Sequence, residues 1–258
     1  MIHSRIAGSM VETRWRGGLY FGAFALAAFL LGVPASAQTI KGAVLAKNEP
    51  HHHLVYEDAE LRVLRVSVAP KDTTLLHEHA PDYFWIALGA SDVVNARLGQ
   101  PNAAIKSADL SMHYTLGKFA HVARNPGTAP FNNITVELLT SHSNVKNRCE
   151  EAVAKGAMDC PASAKAMPRA PEYPAFDTDQ MQVALVTVAP GAILKGRAGG
   201  TKGSWLIALD SAVTKDLIHI VAPAAKWVGG TMHAPAGVIW QVHNASTEPI
   251  QLVSVRAK

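Results

Sequence analysis

The chain repeats itself. Leu61 to Pro70 lines up with Met181 to Pro190 at an offset of 120, and Trp85 then falls on Trp205. Asn125-Pro-Gly-Thr-Ala-Pro130 meets Asn244-Ala-Ser-Thr-Glu-Pro249 at an offset of 119. A duplication held at nearly constant spacing requires two like modules, each closing its own core. At 258 residues the chain is long enough for two small ones.

Each half reads as β-structure. Leu61 to Val68 places Val and Leu at period two against Arg and Ser, the alternation of a half-buried strand. Pro70 and Pro190 close their strands because proline cannot continue a ladder. Phe84–Leu88, Thr135–Leu139, Ser204–Leu209, Leu217–Val221 and Pro249–Val255 are similar short apolar runs. Asn125-Pro-Gly and Asn244-Ala-Ser are turns between strands. Helix-favouring composition occurs at Arg148–Gly156, between the halves, and Asn144–Tyr173 reads as the connection. An all-β chain of short strands and regular turns predicts sandwiches or barrels.

Composition narrows the function classes. With 48% hydrophobic and 17% charged residues the chain is not a disordered polymer. Its basic residues are scattered, which gives no reason to expect a nucleic-acid partner. Arg5, Arg14 and Arg16 precede an apolar run from Leu19 to Val33, then Ala35-Ser36-Ala37. That order is a secretory signal peptide spanning residues 1–37. The run is short for a bilayer core of about 30 Å, so no stable membrane anchor is expected. Removing three Arg and one Glu with the leader takes the net charge from +4 to +2. Export, with a bacterial periplasm as the expected destination, places Cys149 and Cys160 in an oxidising compartment, and the pair reads as one disulfide.

Most of the 12 histidines call for no chemistry. His51-His52-His53 precedes the first strand and reads as solvated or capping, since neighbours on an extended chain point to opposite sides. His142, His219, His233 and His243 are isolated. His77-Glu78-His79 is different. Alternate residues of a strand share a face, so both imidazoles point one way and Glu78 the other. Such a pair suits one transition-metal ion, and His121, followed by Asn125, is a candidate third ligand.

These segments resemble the cupin superfamily, whose motifs run approximately G-x5-H-x-H-x3,4-E-x6-G and G-x5-P-x-G-x2-H-x3-N. His77 and His79 match the paired histidines, and His121 and Asn125 match the H-x3-N ending. In the second half Gly229, Pro235, Gly237 and Asn244 keep the second motif. The resemblance implies a bicupin of an uncharacterised subgroup: two tandem double-stranded β-helix (jelly-roll) barrels. The expected division is an N-terminal barrel over 38–143, a disulfide-bearing linker over 144–175 and a C-terminal barrel over 176–258.

The departures from the motif matter as much. The usual glutamate slot falls on Tyr83 or Phe84, neither a carboxylate. Asp82, one residue early, and His113 are alternative additions to a default three-histidine site of His77, His79 and His121. In the second half Arg197 stands for the first histidine, Gly199 for the second and Trp240 for the third, so no metal is expected there. Three neutral imidazoles leave a divalent ion its full charge and open positions for anionic ligands such as enolates, carboxylates or phenolates. The resemblance implies a divalent transition metal: iron first, with zinc, manganese, nickel or copper as alternatives. It also implies dioxygenase-like chemistry on a small molecule, with Tyr83 as a candidate catalytic proton donor or positioner. Two other readings stand beside the enzyme. One is a non-catalytic small-ligand-binding barrel, its pocket lined by Trp205, Trp227 and Trp240. The other is a second barrel that serves only to pair with the first or to build a homo-oligomer.

Overall fold

A computed structural model describes residues 40–149, 159–160, 172–210, 218–221 and 225–258. The expected leader (1–37) and nearly all of the helix-favouring stretch lie outside the described residues. Among the described residues every element is a β-strand except one 3-10 turn, Ala46–Asn48.

The alternating strand Leu61–Val68 is where the first barrel is built. It pairs antiparallel with Phe131–Leu138 on one side and His52–Glu57 on the other. Tyr83–Ala87, Met112–Thr115 and Asp159–Cys160 extend this six-stranded sheet. A second sheet runs Val44–Leu45, His77–His79, Phe119–Arg124, Ser91–Arg97, Ala103–Ser107. Leu64, Val66, Val68, Tyr83, Trp85 and Ala87 turn towards the second sheet and meet Val93 and Ala123 in one core. The opposite face of the same strands, with Leu61, Val63, Phe84 and Ile86, packs against the other half of the chain. Burial on both faces explains why Phe84–Ala87 reads as an unbroken apolar run.

The second half repeats this plan. Met181–Val188 pairs with Ile250–Ala257 within a seven-stranded sheet, and Ile193–Arg197, Ile239–Asn244 and Ile218–Val221 form a three-stranded one. Val186, Val188, Leu206, Met232 and Trp240 fill its interior. Met181, Val183, Leu185, Trp205 and Val255 join Leu61, Val63 and Phe84 in the core shared by the halves. Each fully buried Leu, Ile or Phe there contributes about 1.5–3 kcal/mol.

Asn125 and Asn244 do the same work. The side-chain amide of Asn125 donates to Val68 O and Ala129 O; that of Asn244 donates to Val188 O and Glu248 O. Each Oδ1 accepts a backbone N–H two residues on, from Gly127 and Ser246. Both are turn residues.

The pairing of Trp85 with Trp205 is corrected by strand register. Thr135 stands opposite Trp85, whereas its counterpart Ser254 stands opposite Leu206. Trp85 therefore corresponds to Leu206. One residue of slip turns a side chain to the other face of a sheet: Trp85 looks into its barrel, Trp205 out of its own into the shared core, where its indole N–H donates to Asp58.

The segment between the halves exchanges strands. Lys146–Asn147 pairs with Phe176–Asp177 of the second half, and Asp159–Cys160 returns to pair with Met112–His113 of the first. The Cys149–Cys160 disulfide closes this excursion.

Candidate metal centre

Strand His77–His79 lies antiparallel to Phe119–Arg124 with His77 directly opposite His121. Period two then brings His79 onto the same inner face. The ring centroids are 4.3 Å apart for His77–His121, 5.2 Å for His77–His79 and 5.3 Å for His79–His121. Glu78 points away and accepts the Ile40 N–H at 2.7 Å.

A fourth ring joins them, contrary to the solvated reading of His51–His53. His52 pairs with Val66, whose side chain faces the barrel interior, and so turns inward itself. Its ring lies 4.6 Å from that of His77 and 5.9 Å from that of His79. Ligand atoms of His52, His77 and His79 all fall within 4.8 Å of one another. Alternation along an extended chain holds for the triplet, and it sends one of the three inward. His53 is exposed, and His51 bridges Glu49 (2.9 Å) and Asp72 (3.2 Å).

The four rings share one hydrogen-bonding arrangement. Nδ1 of His52 meets Glu49 Oε2 at 2.6 Å, that of His77 meets Leu75 O at 2.9 Å, that of His79 meets Glu137 Oε1 at 3.0 Å, and that of His121 meets Asn95 Oδ1 at 2.8 Å. Each partner is an acceptor, so each Nδ1 carries a proton, and in a neutral ring Nε2 then keeps its lone pair. Nε2 of His77 and of His121 is buried without a hydrogen-bond partner. An unsatisfied buried polar atom costs about 1–3 kcal/mol, and two of them aimed into one cluster fit a divalent cation. Carboxylates and carbonyls behind metal-ligating imidazoles orient the ring and raise its basicity.

Electrostatics agree with neutral rings and charged carboxylates. Burial, then the neighbouring His52 and His79, lowers His77 to about 3. Burial and the charges of His77 and His79 hold His121 well below its ordinary value. Burial also lowers His79, against the raising effect of Glu137. Desolvation would raise Glu49, yet hydrogen bonds from His52, His51 and the Leu75 N–H bring it down to about 2. Burial opposes ionisation of Glu137 too, and is outweighed by the hydrogen bond from His79 and the charge of Arg62.

Other candidates fall around this cluster rather than in it. Asp82 accepts from Tyr114 Oη at 3.0 Å and from the Gly117 N–H at 2.8 Å, which commits its carboxylate to a loop and leaves the glutamate slot without a carboxylate. Tyr83 stacks on His79 at 4.1 Å, and burial pushes its hydroxyl pKa up. His113 stacks on Trp85 at 4.0 Å, with Nε2 3.0 Å from Ser111 Oγ. Tyr83, Trp85, His113 and the four clustered histidines line one cavity of about 160 Å³.

The second barrel carries no imidazole at the matching positions. Trp240, the counterpart of His121, stands opposite Gly196, as His121 stands opposite His77. The Gly237 N–H donates to Ala198 O as the Lys118 N–H donates to His79 O. The residues replacing His77 and His79 are thus Gly196 and Ala198, correcting Arg197 and Gly199; Arg197 is exposed. A Cβ on Gly196 would lie 2.3 Å from Cζ2 of Trp240, so the indole lies over Gly196, against the strand that carries the imidazoles in the first barrel. Trp205 belongs to the shared core and Trp240 to the second barrel's interior, and Trp227 packs partly buried against the latter cluster.

No protein-family model matches the chain, and no curated protein matches it in sequence. Solved structures do match in shape. AerE from Microcystis aeruginosa aligns with TM-score 0.56 at 14% identity, covering 81% of this chain and 93% of that one. An oxalate decarboxylase aligns with TM-score 0.55 at 11% identity over 77% of this chain and 69% of its own. A B. subtilis oxalate decarboxylase variant gives 0.55 at 11% identity over 80% and 74%. Sheet order, register and these neighbours give the chain the cupin fold, two double-stranded β-helix barrels in tandem.

Proposed function

We propose that this chain is an exported two-barrel protein with a single divalent metal ion, iron first, in the barrel of residues 38–143. The segment 144–175 joins that barrel to a metal-free partner of residues 176–258. The reading rests on four inward imidazoles whose Nδ1 atoms are all committed, two of them with buried, unpartnered Nε2 atoms. His77, His79 and His121 hold the ion, with His52 in place of the absent carboxylate. When bound, such an ion supplies a Lewis acid with open positions and, for iron, a redox centre. Glu49, Leu75 O, Glu137 and Asn95 fix the four rings. Tyr83 holds the His79 ring by stacking, a positioning role. Trp85 and Phe131 keep the cavity apolar. Dioxygenase-like turnover of a small organic molecule is the reaction class that this arrangement favours.

Metal content of untagged exported protein tests the reading, with His77→Ala as control. One equivalent, lost in the variant, is expected, followed by O2 uptake with phenolic, thiol or diketone substrates. Protein that stays empty after anaerobic loading with several divalent ions overturns it. Metal without turnover leaves a ligand-binding barrel.

A further inference from the structure

We infer that the ligand of this cavity is a small organic monoanion: one carboxylate, phenolate or enolate group on an uncharged, mostly apolar body about the size of one aromatic ring. The inference rests on the metal reading above and adds the chemistry of what meets the ion.

Three observations carry it. The first is charge. Among the residues lining the cavity none is Asp, Glu, Lys or Arg. Arg97 is turned onto the Phe119 ring, its guanidinium carbon 3.7 Å from the centroid. No lining side chain gives an anionic group on the ligand a positive partner, so the ion itself is its direct counter-charge. A second anionic group would face Trp85, Val93, Ile105 and Phe131 without a counter-charge, at a heavy desolvation cost. It would also stand near Glu49 and Glu137, the carboxylates that hydrogen-bond Nδ1 of His52 and of His79. The second observation is that acceptors of the wall are already committed. Thr135 Oγ1 donates to Asn133 Oδ1 at 2.9 Å, and Asn95 Oδ1 accepts from His121. The third is size. The cavity of about 160 Å³ is well below the roughly 300–1,000 Å³ of drug-sized sites. A volume of about 150 Å³ is enough for one benzene ring. Trp85 and Phe131 stand edge to face, 5.8 Å apart at 83°, and give such a ring two perpendicular apolar walls. A dicarboxylate whose groups are too far apart to chelate one ion would leave its second charge on that wall.

The test is a visible-absorption titration of cobalt(II)-loaded full-length protein, using benzoate as monoanion probe, terephthalate as a dianion that cannot close a chelate on one ion, and methyl benzoate as neutral isostere. Benzoate should shift the cobalt bands with 1:1 saturation, at least tenfold more tightly than terephthalate, with no shift from methyl benzoate. Terephthalate binding as tightly as benzoate, or cobalt bands that benzoate does not move, would overturn the inference while leaving the metal site standing. Failure to take up cobalt would overturn both. Ile105→Arg places a cation on the apolar wall and should tighten terephthalate at least tenfold relative to benzoate. An unchanged ratio in a folded, cobalt-loaded variant also counts against the inference.

Discussion

His77 and His121 face each other across one strand pair, 4.3 Å between ring centroids, and each buries an Nε2 that no protein atom satisfies. In the metal-free protein this is a destabilising arrangement that a bound cation relieves. Ligand at 100 times its Kd stabilises a fold by about 2.7 kcal/mol. For a domain of this size that raises Tm by roughly 5–10 °C. Adding Co(II) or Fe(II) to chelator-stripped protein should give this rise by differential scanning fluorimetry. The rise should vanish in His121→Ala; a variant that keeps it would remove His121 from the ligand set.

Glu137 is buried between His79 Nδ1 and the Arg62 guanidinium. Glu137→Gln keeps an acceptor for the imidazole and removes the charge behind it. Loss of such an outer partner weakens metal affinity by about 10–100-fold. Arg62 retains Glu57 at 2.7 Å, so the fold should survive with an unchanged circular dichroism spectrum. Competition with a chromophoric chelator reads the affinity. Equal affinity in variant and parent would show that Glu137 does not tune the site.

What could be read from the sequence, and what could not, follows from where register information lies. His77 and His79 were legible because period two acts within one strand, and Asn125 and Asn244 because the two turns share spacing. His52 was hidden because its inward turn depends on pairing with Val66 on the next strand. The misplacements in the second half have one cause. Constant offset was assumed where register changes it: Leu64 corresponds to Ala184, His77 to Gly196 and Trp85 to Leu206. One residue fewer before Gly196 and two more between it and Leu206 produce those offsets, and each one-residue departure from 120 exchanges inward for outward faces.

Acid should destabilise the metal-free protein in two windows. His77 is lowered to about 3 and His79 and His121 are lowered too, mainly by burial, from an ordinary 6.5. Below about pH 6.5 the unfolded chain takes up protons that the folded rings refuse, so stability present above 6.5 is lost as pH falls towards the folded values. Each such ring contributes on the order of 1 kcal/mol per pH unit in that window. Glu49, lowered to about 2, adds a loss that begins only below about 4.5. Urea midpoints in EDTA should fall from pH 7.5 to 5.0, and fall less in His121→Asn. A flat profile down to pH 5 would contradict buried neutral rings.

The second barrel gives a direct test of what fills the space that imidazoles occupy in the first. Trp240 packs so closely over Gly196 that any Cβ there meets the indole. Gly196→Ala should therefore cost about 1–3 kcal/mol by overpacking, and Trp240→Ala about 3–5 kcal/mol by leaving a cavity. The two changes should not add. In the Trp240→Ala background the new methyl enters empty space and should cost nothing or recover a little. The resulting coupling, on the order of 1–3 kcal/mol, is readable from urea denaturation of the four proteins in a double-mutant cycle. Metal content should stay the same throughout, because the proposed ligands all come from the first barrel. Additive losses would mean that Trp240 does not fill the space over Gly196, and a change in metal content would mean that the second barrel supports the site in the first.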